Sequence, residues 1–259
     1  MEHRKLIERR YYDGKAREGV RAGLPGASEP VGAATVAPLL RAPYVEFERR
    51  VREQLRPGDV VLDVGAGTGI HSLVAAGAQR HVIGLDFSAQ ALLIARDRAA
   101  AHSAVLDVVC GDAEQLPIAS RSVDLVTTAG ILYCVDLTAF VREIRRVLRP
   151  HGVWILVDSF DHNPIYRFNR LVGYLRGRRT RRAVTNIPST RTLARLRREF
   201  GRVEVSYHGV FSFLGPPLRR LLGDGKAAKL LDRFDRRTPG LREFAFKIVA
   251  TLSGPISLE

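Results

Sequence analysis

Cysteine, tryptophan, methionine and lysine are all scarce in this chain of 259 residues: two, one, one and five respectively. Cys110 and Cys134 lie in separate apolar runs, a placement that suits neither a zinc site nor a disulfide scaffold, so a reducing, cytoplasmic compartment is expected and no metal site. No run approaches the roughly 18 consecutive apolar residues that a membrane span needs. The N-terminus, MEHRKLIERRYYDG, is charged throughout and lacks the apolar stretch of a signal peptide. A secreted or membrane-spanning protein is therefore not expected. Internal repeats and low-complexity tracts are missing as well, which excludes solenoids and coiled coils.

What is present is an ordinary globular composition, 46% hydrophobic and 26% charged. A chain of this length buries roughly three quarters of its unfolded surface, enough for a core without staples. The charge is less ordinary. Net charge is +14, and 36 of the 41 basic residues are arginine. Residues 151–202 alone hold 12 arginines against Asp158, Asp161 and Glu199, a balance of +9. Such a segment suits nucleic acid, an anionic lipid surface or an acidic small molecule, and a merely solvated helical face is the plain alternative.

Periodicity divides the chain. Residues 2–21 read as a helical arm, and 22–42 as a Gly/Pro/Ala-rich connector. Pro43 stands where a first-turn proline is welcome, with Tyr44, Phe47, Val51 and Leu55 following at helical spacing up to Pro57. Short apolar runs at 60–64, 81–86, 105–110, 123–128 and 153–159 read as buried strands. They alternate with helices at 70–78, from Ser88 onward, and at 138–148, the signature of βαβ units and a parallel sheet. Helices are expected at 164–177 and 189–200 and around 215–236, and closing strands at 203–209 and 242–252. The expected fold is α/β: a Rossmann-like, seven-stranded, mostly parallel sheet with helices on both faces. An N-terminal arm and connector (1–42) precede a core (43–160), and acceptor-site insertions with the closing strands (161–259) follow.

Between the first strand and its helix lies Asp63-Val64-Gly65-Ala66-Gly67-Thr68-Gly69. Glycines there permit a tight turn and a close ligand, and the helix start offers free amides. The dinucleotide fingerprint would want glycine at Ile70, and the phosphate loop would want a Lys-Ser/Thr pair after the glycines; neither is present. Asp86 ends the second strand, where a carboxylate can accept both hydroxyls of a ribose. Asp112 follows the third strand, where it can accept from an adenine amino group, and Phe87 is placed to cover a base. Each aspartate also has a plain reading as a cap or turn residue.

The segments VVLDVGAGTG (60–69), GLDFS (84–88), GDAEQLPIASRSVDLV (111–126) and LRPHGVWILVDS (148–159) resemble, in order and spacing, class I S-adenosylmethionine-dependent methyltransferases. The resemblance covers about residues 44–160 and points to the small-molecule, type 11-like branch that includes quinone, sterol and natural-product methyltransferases. It implies that Gly65, Gly67 and Gly69 line the methionine part of S-adenosylmethionine, with Asp63 beneath. It also implies that Asp86 takes the ribose, that Asp112 and the Ala113 backbone take the adenine, and that the backbone near Ala129 receives the ammonium. Tyr11-Tyr12-Asp13 resembles the arm that closes over the cofactor in that branch, which adds Tyr12 to the site. The product would be S-adenosyl-L-homocysteine.

Methyl transfer needs an in-line nucleophile and exclusion of water, and a base only for a hydroxyl or carbon acceptor. Base candidates are Tyr133 and Asp136 after the fourth strand, His162 after the fifth, favoured for that position, and His208 in a late strand; each also has a packing or capping role open to it. His71 reads as structural. The partner is expected to be a small molecule, anionic or membrane-associated, with Arg178, Arg179, Arg181 and Arg182 nearby. Two rivals stand beside this. RNA or DNA methylation fits the charge, but TAGILYCVD lacks the Asn/Asp-Pro-Pro-Tyr/Phe pattern of base amino methylation, neither cysteine follows a proline, and no RNA-binding module is visible. The other is a protein that binds S-adenosylmethionine without turnover.

Overall fold

The computed structural model describes residues 5, 10, 11, 13, 14, 16–18, 30–77, 79–177 and 181–256. Those of the N-terminal arm are helical, and Ala16 packs against Ala91 and Ile94. Helix α1 (Ala42–Gln54) carries Pro43 in its first turn, where the missing N–H costs nothing. Then come β1 (Val60–Val64), α2 (Ser72–Ala75), β2 (His81–Asp86), α3 (Ala89–Ala101), β3 (Asp107–Cys110), β4 (Val123–Ala129), α4 (Leu137–Val147) and β5 (Leu148–Ser159). The C-terminal part supplies α5 (Pro164–Leu175), α6 (Arg182–Thr185), α7 (Thr190–Glu199), β6 (Phe200–His208), α8 (Gly215–Leu222), α9 (Asp224–Arg237) and β7 (Lys247–Pro255).

The seven strands form one sheet in the order β3-β2-β1-β4-β5-β7-β6. The first five are parallel, and β7 inserts antiparallel between β5 and β6. Because the chain winds from β1 to β3 and then returns to place β4 on the other side of β1, a crevice opens at their carboxyl ends, where open α/β sheets bind ligands. Alternation along the strands serves two cores. Leu62, Val126 and Trp154 face Phe140, Ile144 and Phe200. Val61, Leu125 and Ile155 face Phe47, Val51, Ala95 and Ala99. Among the described residues, no helix is long and apolar enough to cross a membrane.

Several boundaries move from their sequence-based positions for local reasons. The helix expected at 70–78 shrinks to α2, because the Ile70 carbonyl accepts from Gly32 N–H (2.9 Å) and Val74 N–H bonds to His71 (3.1 Å) in a tighter turn. Strand β7 starts at Lys247 and not at 242, since residues 239–244 wind into a 3-10 turn opened by Pro239. Ser88 caps α3 as expected, accepting from Ala91 N–H at 3.2 Å.

Candidate functional site

A cleft of about 450 Å³ lies at the carboxyl ends of β1–β4. Its wall includes Gly65, Gly67, Asp86, Phe87, Asp112, Ala113 and Ala129, together with Lys5, Glu114, Ile131 and Cys134. The glycine turn is pinned to β2: Gly65 and Ala66 N–H both donate to the Leu85 carbonyl, at 2.8 and 3.0 Å. Gly67 has φ +53°, and a Cβ built there would meet no atom within 4 Å, so its bare backbone faces open space.

Asp86 is 8% exposed. One carboxylate oxygen accepts from Gly67 N–H (2.9 Å) and the other from Ser88 N–H (2.8 Å). The two carboxylate oxygens have four lone pairs, and Phe87 N–H also bonds to this group, so room remains for a further donor. Burial raises the Asp86 pKa above the usual carboxylate value, against the pull of these three backbone bonds. A hydroxyl of a vicinal diol can supply that donor.

Asp112 accepts from Glu114 N–H (2.9 Å) through one oxygen and from Lys5 Nζ (2.5 Å) through the other, and Lys5 also reaches Glu114 at 2.8 Å. Burial works against the Lys5 ammonium, but the hydrogen bonds to both carboxylates outweigh it, and its pKa stands above the ordinary lysine value. The arm therefore covers the Asp112 end of the cleft, and the Ser88 hydroxyl ties it down again by donating to Asp13 at 2.5 Å. Tyr12 lies outside the described residues.

Asp63 and Gly69 support the cleft without lining it. Asp63 is 2% exposed and accepts from the hydroxyls of Ser72 (2.5 Å) and Thr127 (2.9 Å), so it bolts α2 to β4 below the turn. Burial pushes its pKa up to about 6, against those two bonds. Gly69 has φ +76°, and a Cβ there would stand 2.9 Å from Ala95 Cβ. Gly69→Ala is expected to cost about 1–2 kcal/mol through the left-handed backbone and the contact with α3. A lowered urea midpoint at unchanged slope would show it; an unchanged midpoint would refute it.

The geometry does not bring the base candidates to the cleft, whose wall holds none of Tyr133, His162 and His208. Tyr133 is half-buried in the turn after β4. His162 accepts from Thr190 N–H at 3.2 Å through Nε2 and so helps start α7. His208 sits on the outermost strand, paired with Ser206 Oγ at 3.0 Å, and burial lowers its pKa. Asp136 caps α4, accepting from Thr138 and Ala139 N–H. Of the four arginines named from sequence, Arg178 and Arg179 lie outside the described residues, Arg181 is exposed, and Arg182 donates to the Cys134 carbonyl at 2.7 Å.

A second group beside the cleft was not expected. His71 stacks on Tyr44 (5.2 Å, 5°) and meets Phe47 edge-on, and burial, with Lys247 nearby, pushes its pKa down to about 4. Asp158, 1% exposed, accepts from Leu132 N–H at 2.9 Å. A lysine inside the apolar run FAFKIVATL was the available signal for this group, and it was read only as strand.

Residues 62–156 match a family described as a methyltransferase domain. A malonyl-[acyl-carrier protein] O-methyltransferase of Serratia marcescens is 38% identical over 114 residues, 41% of this chain and 43% of that protein. A demethylmenaquinone methyltransferase of Mycobacterium marinum is 38% identical over 115 residues, 43% and 47% of the two chains. The chain thus spans less than half the length of these curated relatives. Among solved structures, the [4+2]-cyclase SpnF shares the fold over 97% of this chain and 96% of its own (TM-score 0.62, 20% identity). Geranyl diphosphate C-methyltransferase of Streptomyces coelicolor, solved with S-adenosyl-L-homocysteine, does so over 83% and 79% (TM-score 0.55, 19% identity).

Proposed function

We propose, from the match of residues 62–156 to a methyltransferase domain, that this chain is a class I, small-molecule-type methyltransferase that transfers the methyl group of S-adenosylmethionine to a small-molecule acceptor in the cytoplasm. The carrying observation is the juxtaposition, at the β1/β4 switch, of a bare Gly67 backbone and the buried Asp86 carboxylate, both on the wall of one cleft. When bound, S-adenosylmethionine supplies an electrophilic methyl carbon on a sulfonium. Asp86 would hold the ribose hydroxyls. Asp112 and the Ala113 backbone would take the adenine edge, and Phe87 would cover its face. Lys5 would exclude water from that end, and proximity would supply much of the rate.

The acceptor side would come from the chain beyond β5. Helix α5 turns Phe168, Leu171 and Leu175 outward beside exposed Arg167 and Arg176, which favours an acceptor with an apolar body and an anionic group, or one held at a membrane surface. Nucleic acid would then bind only through its charge and be lost steeply with salt. The test is transfer of a labelled methyl group into fractionated extract. Label in organic-extractable or small water-soluble material is expected. Label in RNA at a defined site, or S-adenosylmethionine binding without any turnover, would overturn the proposal in favour of one of the two rivals.

A further inference from the structure

The cations of the cleft have acceptors: Lys5 has Asp112 and Glu114, and Arg182 has the Cys134 carbonyl. Lys247 has none. It opens β7 and is 7% exposed, yet among the described residues its ammonium makes no hydrogen bond and no ion pair. Its close neighbours are aromatic faces, Tyr44 at 5.0 Å and Phe246 at 5.6 Å from the ring centroids. Such faces attract a cation but accept none of its three N–H bonds in the way an oxygen does. A lysine this little exposed, with no acceptor among the described residues, marks a place where a ligand can supply one.

Asp158 acts on Lys247 across space without a hydrogen bond to it, and its oxygens accept from Leu132 N–H (2.9 Å) and Ser159 N–H (2.6 Å). Arg170, 4% exposed, acts on the same carboxylate. His71, with its pKa near 4, adds no charge at neutral pH. Lys247 lies opposite Ser159 at the carboxyl edge of the sheet. Asp158 holds Leu132, the neighbour of cleft residue Ile131, and His71 stands two positions beyond Gly69. The neighbouring rings are flat and apolar: Tyr166 stacks on Phe246 at 4.1 Å and 20°.

We infer that Lys247 is a specificity-determining residue that anchors an anionic group, carboxylate or phosphate, of the methyl acceptor, whose apolar body lies against Tyr44, Phe246 and Tyr166. The inference rests on the methyl-transfer reading above. It adds what that reading lacked, a named residue for the charged end of the acceptor.

The experiment uses the full chain saturated with S-adenosyl-L-homocysteine and three probes of one shape: phenyl phosphate, benzoate and phenol. Calorimetry should show one or both anions binding the wild type at least about tenfold more tightly than phenol, a difference characteristic of a buried charge-assisted contact. The preferred anion identifies the headgroup. Lys247→Met should reduce anion binding by about tenfold or more, and Lys247→Arg should retain most of it. Both should bind S-adenosyl-L-homocysteine like the wild type. Lys247→Met takes one cation away from buried Asp158, so its melting temperature without probes is measured alongside to establish that it folds. Equal binding of phenol and the anions, no binding of any probe, or undiminished anion binding by a folded Lys247→Met would overturn the inference while leaving the methyl-transfer reading intact. If Lys247→Met does not fold, the anion-over-phenol preference of the wild type and its retention in Lys247→Arg decide the matter. Failure of the wild type to bind S-adenosyl-L-homocysteine at all would instead remove the reading beneath it.

Discussion

Asp86→Ala is expected to weaken S-adenosylmethionine binding roughly 5- to 150-fold, about 1–3 kcal/mol, while the protein stays folded. The carboxylate keeps room for a further donor beside Gly67, Ser88 and Phe87 N–H, so its loss would leave a ribose hydroxyl without its acceptor. It would also free Gly67 N–H from its partner and loosen the turn that faces the ligand. The fold should tolerate the change, because burial already raises the Asp86 pKa and truncation removes that buried charge. Asp86→Asn keeps one acceptor oxygen and should lose less. Titration calorimetry on the folded variants checks both, and wild-type affinity in Asp86→Ala would remove the ribose assignment. NAD should not bind the wild type, since Ile70 stands where a dinucleotide turn needs its third glycine; micromolar affinity would favour an oxidoreductase.

Much of this was legible in the residues because it depends on near neighbours. Ser88 capping α3, Asp136 capping α4 and the glycines between β1 and α2 are fixed by side chains within a few positions. Five strands, joined through helices except between β3 and β4, dictate a parallel sheet, since each crossover is right-handed. What escaped depends on distant partners. Nothing local says that β7 inserts between β5 and β6, because antiparallel edge order is set by which strand completes the core. His162 was favoured for following a strand end, and the amide that engages it belongs to Thr190, 28 residues on. Lys247 alternates correctly within its strand, so periodicity alone could not mark its ammonium as buried between Tyr44 and Phe246.

The stability of the protein between pH 4 and 6.5 should conceal two opposed titrations that single substitutions expose. Asp63 has a pKa of about 6 in the fold against an ordinary 3.8. Between those values the folded state holds a proton that the unfolded state has lost, so stability falls as pH rises through the window. The fall is about 1.4 kcal/mol per pH unit and about 3 kcal/mol when complete above pH 6. His71 runs the other way, with a folded pKa near 4 against 6.5. There the unfolded state binds the extra proton, and stability is lost as pH falls, again by about 3 kcal/mol in all. In the wild type the two slopes nearly cancel between pH 4 and 6. Asp63→Asn should therefore gain stability over the wild type as pH rises through that range, whatever constant offset the altered bonds to Ser72 and Thr127 impose. His71→Phe, which preserves an aromatic ring beside Tyr44 and Phe47, should gain over the wild type as pH falls from 6.5 to 4. Asp158 and His208 titrate in every variant and drop out of the differences, and Asp86, whose charge acts on Asp63, changes the Asp63→Asn difference in the same direction. Urea unfolding across the range measures both. A curve for Asp63→Asn parallel to the wild type would mean that the two hydroxyls hold the Asp63 carboxylate ionised despite its burial, and the bolt beneath the glycine turn would then be a charged one.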